Sequence, residues 1–260
     1  MEFSLPEFPA DPGAQAAFLA TAFLGLVAIL LMVAPGPMGW LMRLEPRGAR
    51  IGGNNEFRTG GAFVAGLTIL ALLFDQPVAY AAIGVGLIGA CLGRLLSLIL
   101  DREALLANIV VLLIQAALAY AFCYHLAEIV DSEMQILMPS EFSALLVFLA
   151  YWGFVMLGLV LAFTPRPLAM VSGLVTEDSE PLRLASLRAA GGFLIGLGLA
   201  GLMFANPMVE LVMVGALVLA VFGRLAGLLA YRRNLGFKLV ALIVQILFAA
   251  IFANYISAMI

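Results

Sequence analysis

Eight runs of apolar residues, at 16–34, 60–74, 77–100, 105–124, 143–163, 190–204, 207–231 and 235–255, dominate this chain. A run of roughly 20 such residues crosses a hydrocarbon core of about 30 Å as a helix. Lipid offers the backbone no hydrogen-bond partners, so only helices and closed barrels span it, and these runs lack the alternation of barrel strands. The chain therefore reads as all-α: a polytopic integral membrane protein with eight transmembrane helices. Its 64% hydrophobic and 11% charged residues exclude an ordinary soluble globule, where about half are apolar and about a quarter charged. No nucleic acid is expected among its partners.

Eight crossings sort the charges. All 13 Lys and Arg residues fall on one side, which the positive-inside bias makes cytoplasmic. The other side carries Glu2, Glu7, Asp11, Asp75, Glu128, Asp131, Glu133 and Glu141, with Glu210 just inside its helix, and no Lys or Arg. Both termini are expected outside. Residues 1–15 form an outer N-terminal segment without a basic n-region, so no signal peptide is read there. The joints "FDQP" and "FANP" predict tight hairpins, with Asp75 or Asn206 as turn former and Pro77 or Pro207 starting the next helix. Tight hairpins in turn predict that each joined pair packs as antiparallel neighbours.

The sequence also repeats itself. At an offset of 130 residues Arg58 meets Arg188, Gly61 meets Gly191, Pro77 meets Pro207, Arg94 meets Arg224 and Gln115 meets Gln245. About 21 of 67 positions from Glu56 to Phe122 are identical, and apolar bias does not place arginine, proline and glutamine in register. Each copy holds an even number of crossings, so the chain is expected to be two parallel four-helix repeats, 16–124 and 142–260, about an axis along the membrane normal. The acidic stretch 125–141 reads as an outer linker with a short amphipathic piece.

"NEFRTGG" followed by "GRLLSLILD" resembles the bacterial four-helix membrane family catalogued as domain of unknown function 4345. The residues carrying the resemblance are Asn55, Glu56, Arg58, Gly60, Gly61, Gly93, Arg94 and Asp101. The second copy departs from it, with Ser186 in place of Glu56 and Tyr231 in place of Asp101. The resemblance implies a tandem duplication of that four-helix unit in a bacterial inner membrane, and no activity.

The repeated polar residues are the candidate site. Arg58 lies 16 residues before Phe74 and Arg94 lies 17 after Pro77, which puts each roughly 25 Å from the shared hairpin at 1.5 Å per residue. Arg188 and Arg224 repeat this. Two readings are open: basic pockets for an anionic group such as a lipid phosphate, or arginines snorkelling to the interface. Glu56 and Asp101 can neutralise the first pair, Asp101 through an internal ion pair seven residues from Arg94 on one helix face. That leaves Arg188 and Arg224 as the expected anion-binding pair. Gln115 and Gln245, about ten residues into their helices, read as midplane interhelical glue or a midplane substrate site. Gly89 with Gly93, Gly192 with Gly196 and Gly223 with Gly227 have the spacing of close helix packing.

No catalytic motif is present. His125 stands alone near the outer side, Cys91 and Cys123 lie at different depths, and "GVGLIG" sits inside a transmembrane run rather than between strand and helix. No enzyme activity, metal or cofactor is expected. Two functions remain: a non-catalytic accessory or structural subunit docking against other membrane subunits or itself, or a carrier or binder of a lipid or small amphipathic molecule.

Overall fold

A computed structural model describes residues 8–41, 54–101, 105–130, 136, 138–172, 181–230 and 235–259. Among them there is no strand. The described residues form ten helices, α1 (Pro12–Val33), α2 (Pro35–Leu41), α3 (Asn54–Phe74), α4 (Pro77–Leu100), α5 (Leu105–Val130), α6 (Phe142–Phe163), α7 (Pro165–Ser172), α8 (Pro181–Phe204), α9 (Pro207–Ala230) and α10 (Leu235–Met259). Eight of them are long and apolar enough to cross a membrane. The two extra helices, α2 and α7, follow "APGP" and "TPRP", where proline ends one helix and opens another. Boundaries recur at the offset of 130: Pro12 and Phe142 begin α1 and α6, and Phe74 and Phe204 end α3 and α8.

Two helices start earlier than hydropathy indicates. α3 begins at Asn54 and α8 at Pro181, and in α3 the polar first turn faces into the bundle. Asn54, Asn55 and Thr59 are buried, and Thr59 Oγ1 donates to the Asn55 carbonyl at 2.8 Å. The expected outer linker is also shorter, since α5 continues to Val130. Its amphipathic piece, residues 1–7 of the N-terminal segment and Tyr231 lie outside the described residues.

The hairpins form, but their helices do not pack as neighbours. α3 barely touches α4, and α8 barely touches α9; the extensive interfaces are α4 on α8 and α3 on α9, followed by α6 on α8, α4 on α5, α1 on α3 and α9 on α10. The connecting turns bend at Asp75 (φ 46°) and Ala205 (φ 41°), left-handed residues again 130 apart. Such a conformation in a residue other than glycine costs about 1–2 kcal/mol, and it turns the chain sharply enough for the helices to part. Asn206 then caps α9, its Oδ1 accepting from Met208 N at 2.9 Å.

Glycine makes the crossed packing possible. Gly89 and Gly192 stand against each other's carbonyls, Gly93 against the Arg188 carbonyl and Gly196 against the Val85 carbonyl, leaving no room for a Cβ at any of the four. Two of the three glycine pairs singled out in the sequence thus mate with one another across α4 and α8. Larger side chains fill the bundle towards the hairpins, with Tyr80, Phe122, Tyr151 and Phe252 almost fully buried. α5 and α10 flank this core and present bare apolar faces, including Leu106, Leu113, Val240 and Ile243, as lipid-facing helices do.

Candidate functional site at the arginine-bearing end

Arg94 and Arg224 do not snorkel. Each turns inward, and its Nε donates to the glutamine of the next helix: Arg94 to Gln115 Oε1 at 2.8 Å, Arg224 to Gln245 Oε1 at 2.7 Å. The arginines and the midplane glutamines, read separately in the sequence, are one motif written twice. Arg94 is 4% exposed and Arg224 5%.

The carboxylates are shared unevenly, and between halves. Glu56 of α3 grips Arg224 of α9 with both oxygens, Oε1 to Nη1 and Oε2 to Nη2 at 2.9 Å each. Asp101, at the end of α4, grips Arg188 of α8, with Nε to Oδ2 at 2.9 Å and Nη2 to Oδ1 at 3.2 Å. Ser97 donates to the same Asp101 Oδ2 at 2.6 Å. The expected Arg94–Asp101 pair within α4 does not form, because α8 lies against this end of α4 and offers Arg188 instead. The acids of the first half therefore neutralise the arginines of the second. This inverts the expectation that Arg188 and Arg224 are the pair left for an anion.

Arg58 and Arg94 take neutral partners. Arg58 Nε donates to the Met32 carbonyl of α1 at 2.9 Å, as Arg188 Nη1 donates to the Ala162 carbonyl of α6. Arg94 Nη1 donates to Asn108 Oδ1 at 3.0 Å. The position equivalent to Asn108 is Lys238, fully buried and within electrostatic range of Glu56 and Arg224. Glu56 also accepts from Asn55 Nδ2 at 3.3 Å. Asn55 Oδ1 is buried without a hydrogen-bond partner and fills the space a side chain at Gly227 would need.

Asn108, Lys238 and the buried role of Asn55 escape sequence reasoning. The first two are aligned at 130 residues but differ in type, so a search for identity passes over them. An open cleft of about 420 Å³ beside Arg188 is lined by Asp101, Thr164 and exposed Arg166, with Leu100 and Phe163.

The opposite end is organised differently in each half. Tyr80 donates to Asp75 Oδ1 at 2.8 Å and stacks on His125 at 5.0 Å. Glu210 occupies Tyr80's place in the second half, 2% exposed. Its Oε1 is 3.5 Å from the Tyr151 hydroxyl and its Oε2 has no partner. Cys91 and Cys123 are free thiols. Among the described residues no cluster of His, Cys, Asp or Glu could hold a metal ion.

No protein-family model matches the chain, and neither do the curated proteins or the solved structures.

Proposed function

We propose that the protein is a non-catalytic membrane scaffold, an accessory subunit that docks its lipid-facing helices against other membrane proteins. One observation carries this reading: Glu56 and Asp101, the described carboxylates of the arginine-bearing end, are spent on buried ion pairs that cross from one half to the other. A carrier built from parallel repeats works by rocking one half against the other. Here rocking would break two buried pairs, each costing about 3–5 kcal/mol when one partner is left uncompensated, and would separate helices packed backbone to backbone through glycine. Static polar locks and apolar outer helices suit a part that is held and holds others.

The arrangement of charge supports an orientation with the arginine-bearing end cytoplasmic and both termini outside, and a bacterial inner membrane is what the four-helix family resemblance implies. Gentle extraction from native membranes followed by native mass spectrometry tests the function. A fixed stoichiometry with other subunits supports the scaffold; a chain that always travels alone overturns it.

A further inference from the structure

The halves lie on each other in a single register. Gly223 of α9 faces the Arg58 carbonyl and the Thr59 Cα of α3, and Gly93 of α4 faces the Arg188 carbonyl and the Ala189 Cα of α8. Gly66 on Ala216 and Gly196 on Gly86 repeat the correspondence nearer the hairpins. Position 186 on α8 therefore stands to Arg94 as position 56 on α3 stands to Arg224. At Arg224 that position is a glutamate that closes on both terminal nitrogens. At Arg94 it is Ser186, short and uncharged.

Apart from Asn108 standing where the second half has Lys238, the two arginines share their remaining contacts. Both keep Nε on the glutamine of the following helix, and both are almost wholly buried. The first lacks the carboxylate, together with the Lys238 ammonium beside it. Asn108 gives Arg94 one amide oxygen, which satisfies a donor and neutralises no charge. Among the described residues no carboxylate pairs with Arg94. A buried guanidinium without a counter-charge is unfavourable, and its planar fork fits an oxyanion through two parallel hydrogen bonds.

We propose that Arg94 is the centre of an oxyanion-binding site between α4, α5 and α8, taking a carboxylate or phosphate group into the place that Glu56 fills at Arg224. The second half displays the occupied state with a protein side chain standing in for the ligand. In the first half Ser186 supplies a hydroxyl donor, and Asn108 can turn its amide to donate to the incoming group. The oxyanion belongs to a lipid headgroup or to a free anion from the side of the arginines. This site goes beyond the scaffold reading and stands or falls separately from it.

The full chain is purified into phosphatidylcholine nanodiscs and titrated with acetate or inorganic phosphate at constant ionic strength. A parallel sample contains phosphatidylglycerol, and retained lipid is counted by native mass spectrometry. A thermal midpoint that rises with either free anion identifies a soluble source, and selectively retained phosphatidylglycerol identifies a lipid one. Arg94→Gln is expected to weaken that binding at least about tenfold. Ser186→Glu restores the missing carboxylate, so it abolishes the anion response while raising the midpoint without anion. This second variant decides the matter if Arg94→Gln fails to fold. A wild-type chain that responds to neither source, or a Ser186→Glu chain that binds as the wild type does, overturns the site.

Discussion

Arg224 and Glu56 lie 168 residues apart in the chain and meet through two parallel hydrogen bonds of 2.9 Å. Both side chains are largely shielded, 7% and 15% exposed, so each depends on the other for its charge balance. Glu56→Gln removes the carboxylate that Arg224 pairs with among the described residues and is expected to cost about 3–5 kcal/mol. Adding Arg224→Gln recovers much of that loss, and a double-mutant cycle on thermal unfolding measures the coupling. Additive single losses would show that the pair is not a lock.

The locks join halves rather than neighbours in sequence. A protease site inserted between α5 and α6 should therefore leave two fragments that co-purify after cleavage. Combining the cut with Arg188→Ala and Arg224→Ala should let them separate. Size-exclusion chromatography distinguishes the outcomes, and fragments that part without the substitutions would refute the crossed packing.

Glycines of the equivalent helices α3 and α8 should differ sharply in tolerance. Gly192→Ala drives a methyl into the Gly89 carbonyl, and overpacking of this kind typically costs about 1–3 kcal/mol or more. Gly60 has nothing within 4 Å of a Cβ, so Gly60→Ala should gain about 0.5–1 kcal/mol from helix propensity. Equal thermal midpoints for the two variants would contradict the close approach of α4 and α8.

Glu210 is a stability liability as it stands. One oxygen has no partner and the other has only a long contact to Tyr151, while the sequence holds no Lys or Arg from 103 to 165 or from 189 to 223. Replacing both groups, with Glu210→Met and Tyr151→Phe, should be neutral or stabilising by up to about 2 kcal/mol. A clear fall in the thermal midpoint would mean that Glu210 is held by a partner of its own.

Asp11 caps α1 with 2.7 and 3.0 Å bonds from Gly13 N and Ala14 N. The Ala14 amide, followed by the Tyr124 hydroxyl and the Gly13 amide, holds its carboxyl below the usual range. A carboxyl depressed by folding stabilises above its ordinary pKa, and the effect is lost as pH falls through the lowered value. The protection of the Gly13 and Ala14 amides, relative to their intrinsic exchange rates, should fall as pH drops through that lowered value in the wild type and be low at every pH in Asp11→Ala. Exchange unchanged by the substitution would rule out the cap.

Hydropathy makes the eight long helices legible, because bilayer thickness leaves little freedom in length. Charge makes the arginine-bearing end legible for a similar reason. Helix pairing is not, since "FDQP" fixes where two helix ends meet and says nothing about the angle at which they leave. The partner of Asp101 is hidden for the same reason: spacing along α4 favours Arg94, whereas the real partner arrives from a helix 87 residues away. The Arg–Gln couple was within reach, because Arg94 with Gln115 and Arg224 with Gln245 repeat at a common spacing of 21 in an apolar background. Two rare polar groups kept together in both copies are better read as partners than as separate sites. The buried amide at Asn108 and the ammonium at Lys238 gave no such signal, since each copy spells that position differently.

The parting of the hairpin helices at Asp75 and Ala205 has a consequence for inheritance. Neither set of five helices encloses an interior of its own, so the molecule is a dimer carried on one polypeptide. Two identical chains in that embrace would have to present every ion pair twice, and no arginine could differ from its twin. Tethering the subunits end to end removed that obligation. One copy can then keep its acids and lend them to the other, while its own Arg94, facing Ser186 of the copy without them, is left for the proposed oxyanion.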